Sequence, residues 1–286
     1  MGKTMELSIA EALFEATQVL RTAGVPESRR DAGSLLAHVI QKDRTFLISH
    51  AEEKLDLHRV HEFRDVVERR AAGEPLQYIT GLQDFYGRSF RVTPDVLIPR
   101  PETELLVESA LGLINGSRFC DVGTGSGCIA VTLLCECPDS RAVGLDVSPA
   151  ALAIARQNAG AQRVDQRIEF LVSDCFDALA ENTPPFDLIV SNPPYVAADV
   201  VAGLQREVKE HEPRVALTPG PDGLSIIRRL MIEAPQFLQK DGHLLLEIGF
   251  DQGEAVSELV SHSEFHLVEI RPDLQGIPRI VVLRKR

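Results

Sequence analysis

Asp121-Val-Gly-Thr-Gly-Ser-Gly127 decides the fold of this chain. The run follows a short apolar segment at 118–122 and opens the helical pattern that begins at Cys128. Glycines there let the backbone turn tightly between strand and helix and approach a bound molecule closely. Asp146 closes the next strand-like segment, 19 residues beyond Gly127. A carboxylate at that place can accept both hydroxyl protons of a ribose. Loop, helix and downstream acid in one register point to an adenosine-containing ligand.

Working outward, strand and helix patterns alternate through the rest of the chain. Candidate strands lie at 118–122, 142–146, 168–172, 187–191 and 243–248, with helices between them, including 149–159 and 223–238. That alternation predicts a parallel sheet covered by helices on both faces. The end differs. Segments 265–271 and 279–283 are joined by a short loop with Gly276 and Pro278. The loop has no room for a crossover helix, so the two must pair antiparallel. The prediction is an α/β fold with a seven-stranded Rossmann-like sheet.

Upstream of residue 76 the period is helical. Ser8 and Glu11 have capping-box spacing, with Leu13, Ala16 and Leu20 on one face. Gly24 and Pro26 end that helix. Leu35, Leu36, Val39 and Ile40 mark a second helix, and Val60, Phe63 and Val67 another that ends at Gly73 and Pro75. From Gly81 the pattern becomes extended, with Phe85, Tyr86, Phe90, Val92 and Val96 among glycine and prolines. This reads as a short β-hairpin linker. Pro101 then opens a helix through Ile114. The expected domains are a helical bundle at 1–80, a hairpin linker at 81–101 and the sheet domain at 102–286.

Composition narrows the function. The chain has 286 residues, 44% hydrophobic and 25% charged, which excludes a disordered or fibrous protein. Its net charge is −12, and residues 1–80 carry 11 basic against 13 acidic side chains. Neither part is a basic nucleic-acid module, so direct DNA binding is not expected. No apolar run reaches the roughly 18 residues of a membrane span. The opening segment, with Glu6, Glu11 and Glu15, lacks the apolar core of a signal peptide. The five cysteines form no C-x-x-C pair, and no histidine lies between residues 62 and 210. Reduced thiols in a cytoplasmic protein without a metal site are the expectation.

The glycine spacing selects the cofactor. A dinucleotide fingerprint reads G-x-G-x-x-G, whereas here glycines stand at 123, 125 and 127 and position 128 is cysteine. That pattern suits S-adenosylmethionine, which has no pyrophosphate to cradle. Asp174, Cys175 and Phe176 follow the third strand, where an adenine would lie. Asp174 could accept from its amino group, and Cys175 or Phe176 could supply an apolar wall.

Asn192-Pro193-Pro194-Tyr195 lies just past the fourth strand, at the sheet edge where open α/β folds bind ligands. A planar NH2 group is a poor nucleophile because its lone pair is delocalised. The Asn192 side-chain oxygen and the Pro193 carbonyl can accept its two protons and aim the nitrogen at a methyl donor. The prolines stiffen the loop and offer no competing N–H. Tyr195, one of three tyrosines, can stack on the planar group. Position and electrostatics then carry the rate.

This tetrad after FDLIVS, together with DVGTGSG and Asp146, resembles class I S-adenosylmethionine-dependent methyltransferases acting on planar nitrogen. Further segments resemble the PrmC/HemK family: GEPLQYITG at 73–81, VLIPRPETE at 96–104, EPRVAL at 212–217, DGL at 222–224 and LEIG at 246–249. The resemblance covers nearly the whole chain. It implies a seven-stranded methyltransferase sheet and methylation of the glutamine amide nitrogen (N5) in the Gly-Gly-Gln motif of peptide chain release factors. A tetrad that accepts any planar NH2 group leaves the choice of target to the helical domain, so residues 1–80 are expected to dock the release factor. By the same resemblance Gly123, Thr124, Gly125, Ser126, Gly127, Asp146 and Cys175 line the cofactor site, joined by Asp174 and Asn192. Asn192, Pro193, Pro194 and Tyr195 hold the substrate amide, with Asn192, Pro193 and Tyr195 catalytic. The family often carries a bulky aromatic where this chain has Cys175. Competing expectations are N5-glutamine methylation of a ribosomal protein and N6-adenine methylation of DNA.

Overall fold

A computed structural model describes residues 7–114 and 116–286. The first six residues of the charge-interrupted opening segment, and Asn115, lie outside the described residues. In chain order the elements begin with helices α1 (Ile9–Thr22), α2 (Ser28–Ile40), α3 (Arg44–Ser49), α4 (Leu57–Ala71) and α5 (Leu76–Thr80). Strands β1 (Leu82–Phe85) and β2 (Arg88–Arg91) form a hairpin, followed by a 3-10 turn at Pro101–Thr103 and α6 (Glu104–Leu111). Then come β3 (Arg118–Val122), α7 (Cys128–Glu136), β4 (Arg141–Asp146), α8 (Pro149–Ala161), β5 (Ile168–Val172) and β6 (Phe186–Ser191). The chain ends with α9 (Arg206–His211), α10 (Ser225–Phe237), β7 (Leu238–Glu247), α11 (Gly253–Ser261), β8 (Phe265–Pro272) and β9 (Pro278–Lys285).

The chain divides into two compact units. One comprises Met1–Gly81 with Gln205–His211, the other Leu82–Leu204 with Glu212–Arg286. The membership of Gln205–His211 was not legible in the linear sequence.

In the helical unit, the Ser8 hydroxyl accepts the Glu11 N–H at 3.2 Å while the Glu11 carboxylate accepts the Ser8 N–H at 2.7 Å. This reciprocal cap satisfies two N–H groups that the first helical turn leaves open. Asp43 and Asp56 cap α3 and α4 in the simpler way, each accepting one N–H. Leu20, Leu35, Leu36 and Phe63 form the centre of the unit's core. Arg70 on α4 is also buried. Its Nε donates to Asp31 at 2.7 Å and its Nη2 to Glu207 on α9 at 2.6 Å. The guanidinium therefore ties α9 to the helices of this unit.

In the second unit the sheet runs β5-β4-β3-β6-β7-β9-β8. The first five strands are parallel; β9 is inserted antiparallel between β7 and β8. Side chains alternate between two cores. Cys120, Ile189, Leu244 and Val281 point to the face covered by α10 and α11, and Phe119, Val190, Leu245 and Val282 to the face covered by α6, α7 and α8. Both faces are thus apolar, as a parallel sheet requires. The hairpin is part of this unit: Phe85 and Phe90 meet edge to face at 6.1 Å inside its core. Asn158 on α8 brackets Arg91, accepting its N–H at 2.7 Å and donating to its carbonyl at 3.0 Å. The helix expected from Pro101 to Ile114 is split, because the chain first makes the 3-10 turn and α6 starts only at Glu104.

Replacing Arg70 with Met would strand Asp31 as a lone buried charge. The expected loss is about 3–5 kcal/mol in the unfolding of the helical unit, against about 1 kcal/mol for Ser8→Ala. Urea titration followed by circular dichroism checks the order; equal losses would contradict the placement of Arg70.

Candidate active site

The order reverses at β3: the chain builds β4 and β5 on one side of it and then returns to place β6 on the other. Such a switch point opens a crevice at the carboxyl ends of the strands. A cavity of about 380 Å³ lies there, lined among others by Gly123, Gly125, Asp146, Asp174, Cys175, Asn192, Pro193 and Pro194. The sequence-predicted residues from four separate strand ends are thereby brought together.

Three predicted residues of the glycine loop lie behind it instead. Thr124 is buried and donates its hydroxyl to Asp121 at 2.7 Å. The Ser126 carbonyl accepts from Asn158 at 2.8 Å. Gly127, with φ of 79°, starts α7 so close to α8 that a Cβ there would sit 3.2 Å from that of Ala155. These residues shape the loop and none of them lines the cavity. Phe176 also departs from expectation, being stacked on Phe237 at 5.1 Å within the core.

Three acids at the site have different settings. Asp121 is fully buried and accepts from Thr124 and from the Ala130 N–H, bracing the loop against α7. Its Oδ1 has no partner among the described residues, and burial pushes its pKa up to about 7. Asp146 accepts the Gly125 N–H at 2.8 Å and the Ser148 N–H at 2.9 Å. Burial raises its pKa, and these two bonds oppose the rise. A carboxylate has about four acceptor positions, so Asp146 keeps capacity for further donors. The cap of α8 is Ser148, whose side chain accepts from Ala151. Asp174 is 58% exposed and its Oδ1 is held by Arg229 at 2.8 Å. Beside it, burial pushes the Cys175 thiol up to about 12, so it presents a neutral, apolar surface.

Asn192 donates through Nδ2 to the Thr103 hydroxyl at 3.0 Å. Thr103 in turn donates to Glu247 Oε2 at 2.7 Å, and the Tyr195 hydroxyl reaches Glu247 Oε1 at 3.4 Å. Tyr195 therefore stands behind Asn192–Pro194 and outside the cavity lining. Burial and the Glu247 charge push the Tyr195 pKa upward, which keeps its proton in place. Gly223 has φ of 70°, and a Cβ there would collide with the Tyr195 carbonyl. Only glycine fits, which gives the DGL segment a steric reason. Arg100 meets the buried Glu212 at 2.5 Å, joining the IPRPETE and EPRVAL segments. Glu104 accepts the Tyr86 N–H at 2.7 Å.

Thr103 and Glu247 escaped assignment in the sequence. The available signal was one carboxylate inside the apolar run LLLEIG, because glutamate is almost never fully buried unless paired.

Comparison with known proteins assigns the chain to a family. Residues 11–81 match the family model described as PrmC N-terminal domain, and residues 101–210 match the methyltransferase small domain. A release factor glutamine methyltransferase from Cereibacter sphaeroides is 46% identical over 96% of this chain and 98% of its own length. The chain belongs to the release factor glutamine methyltransferase family. A second relative bearing that name, from Koribacter versatilis, is 42% identical over 98% of this chain and 99% of its own. A methyltransferase structure from Pyrococcus furiosus shares the fold, with a TM-score of 0.52 at 16% identity over 70% of this chain and 90% of its own. This member of the family is thus a methyltransferase with a seven-stranded sheet and a helical N-terminal unit. Among the described residues no helix is long and apolar enough to cross a membrane, and no cluster of side chains could hold a metal ion.

The Asp121 pKa gives a prediction whose sign is set by burial. Folding raises it from 3.8 to about 7, so its stabilising contribution is complete below pH 3.8 and lost as pH climbs through 7. Asp121→Asn keeps an oxygen acceptor and cannot ionise. Its stability relative to the native chain should grow by about 4 kcal/mol from acid to pH 8, measured by thermal melts in paired buffers. A difference that stays constant with pH would refute the assignment.

Proposed function

We propose that this chain transfers a methyl group from S-adenosylmethionine to the side-chain amide nitrogen (N5) of the glutamine in the Gly-Gly-Gln motif of peptide chain release factors. The observation that carries the reading is the state of Asn192. Its NH2 donates to Thr103, which leaves Oδ1 as an acceptor, and Asn192 and Pro193 both line the cavity. The Asn192 Oδ1 and the Pro193 carbonyl are two acceptors for the two protons of a primary amide. The names of the relatives at 46% and 42% identity supply the protein class that presents it.

The residues at the cavity suit the cofactor. Asp146 offers acceptors to ribose hydroxyls, Gly123 and Gly125 leave space for close approach, and the neutral Cys175 offers an apolar wall. When bound, S-adenosylmethionine supplies an electrophilic methyl group on a sulfonium. Asn192 and Pro193 hold the amide nitrogen in line with it, and Pro194 stiffens the loop. Tyr195 supports the substrate side of the tetrad. As the N–C bond forms, the methyl–sulfur bond would break with its electron pair left on sulfur as a neutral thioether, and the amide nitrogen would lose one proton to solvent. Most of the acceleration then comes from position and from electrostatics matched to charge dispersal.

In this proposal residues 1–80 dock the release factor, and the reaction takes place in the cytoplasm. The acidic balance, −12 overall, disfavours DNA as the substrate.

Asp146→Ala should weaken S-adenosylmethionine binding by about 1–3 kcal/mol in calorimetry, with NAD not binding to either form. Asn192→Ala should leave that affinity nearly intact and lower transfer of labelled methyl to a release factor on the order of a hundredfold. Retained transfer would remove Asn192 from the mechanism; label accepted only by a ribosomal protein or DNA would remove the substrate assignment.

A further inference from the structure

We propose that Thr103 and Glu247 are positioning residues that fix which end of the Asn192 amide faces the cavity; this rests on the methyl-transfer reading above. An asparagine amide is nearly symmetric in shape, so packing alone does not tell its oxygen from its nitrogen. Hydrogen-bond direction does. Thr103 is buried and has one hydroxyl proton, donated to Glu247 Oε2 at 2.7 Å. Toward Asn192, at 3.0 Å, its oxygen can only accept. Asn192 must therefore turn its NH2 inward and its Oδ1 outward. Reversing the amide would set two oxygens against each other with no proton between them.

The direction of the whole chain of bonds originates at Glu247. An ionised carboxylate can only accept, and here it accepts from Thr103 on Oε2 and from Tyr195 on Oε1. A protonated Glu247 could donate to Thr103 instead. Thr103 would then be free to donate to Asn192 Oδ1, turning the NH2 of Asn192 outward. That presents donors to the donors of the substrate amide, and the site fails. Competence therefore requires the ionised form.

The groups around Glu247 act in both directions. Arg279 on β9 favours its charge and Glu102 before α6 opposes it, while burial is the largest influence and brings its pKa to about 7. Tyr195 beyond β6 and Cys128 at the start of α7 are both raised by burial and by Glu247 itself, and stay protonated. Arg279 is also paired with Asp273 at 3.1 Å.

The test compares the native chain with Thr103→Val, Thr103→Ser and Glu247→Gln. The native turnover number should fall about tenfold per pH unit below an inflection near 7. Thr103→Val should lower kcat on the order of tenfold to a hundredfold, with S-adenosylmethionine affinity and KM for the release factor within about twofold of native values. Thr103→Ser should restore kcat. Glu247→Gln should lower kcat and abolish the acid limb. Retained S-adenosylmethionine affinity reports that each variant is folded. A second measurement needs no substrate: the side-chain 15N–1H resonances of Asn192 should titrate with a midpoint near 7 in the native chain and not in Glu247→Gln. Native kcat in Thr103→Val, or Asn192 resonances that do not titrate, would overturn the inference while native methylation of the release factor leaves the functional reading standing. If the native chain methylates no release factor, the functional reading falls, and the resonances alone decide the orientation of Asn192.

Discussion

In β3 and β6 the parallel register sets Val122 opposite Ser191, and the Ser191 hydroxyl donates to the Val122 carbonyl at 2.6 Å. The glycine loop leaves one strand at the point where Asn192 leaves the other. Every later feature of the site depends on that juxtaposition. A one-residue slip would turn each strand's side chains to the opposite face and undo both apolar cores. The hydrophobic alternation that stabilises the sheet therefore also aligns the two loops.

Burial then divides labour among the acids. Asp121 lies beneath the loop and braces it. Asp146 sits half-buried at the cavity wall, with backbone N–H bonds holding its carboxylate in place. Glu247 terminates β7 behind the tetrad and receives hydroxyl protons from Thr103 and Tyr195. Removing a carboxylate from water is expensive unless donors replace the lost hydration. At Asp146 and Glu247 the replacing donors come from the segments that build the site, Gly125 and Ser148 for one and Thr103 and Tyr195 for the other, so keeping these acids satisfied and keeping those segments in shape are the same condition.

Much of this was legible in the linear chain because the signals are local. The strands at 118–122 and 168–172 are short, mostly apolar runs bounded by breakers, and the structure reproduces both ranges. Ser8 and Glu11 announce α1 through a cap that needs only four consecutive residues. The antiparallel end follows from a loop too short for a crossover. By contrast, α3 and α5 have 6 and 5 residues and too little period to be read. Thr124, Ser126 and Gly127 share a motif with Gly123 and Gly125, yet their side-chain and backbone directions put them behind the loop. Motif membership does not encode direction.

The amino-acid sequence by itself determined the types of the longer elements, though not the helix expected between β5 and β6, where the structure has none, together with the strand-end positions of the glycine loop, Asp146 and Asn192–Tyr195, and the resemblance that identifies the family. Periodicity, turn residues and caps act over a few residues, and those features need nothing more. Only the tertiary structure decided which acids are buried, that Thr103 stands between Asn192 and Glu247, and that Gln205–His211 joins the helical unit through Arg70. These partners are separated by 89, 144 and 137 residues. Their pairing follows from the strand order and from the need to satisfy buried polar groups, and neither constraint exists until the chain has closed on itself.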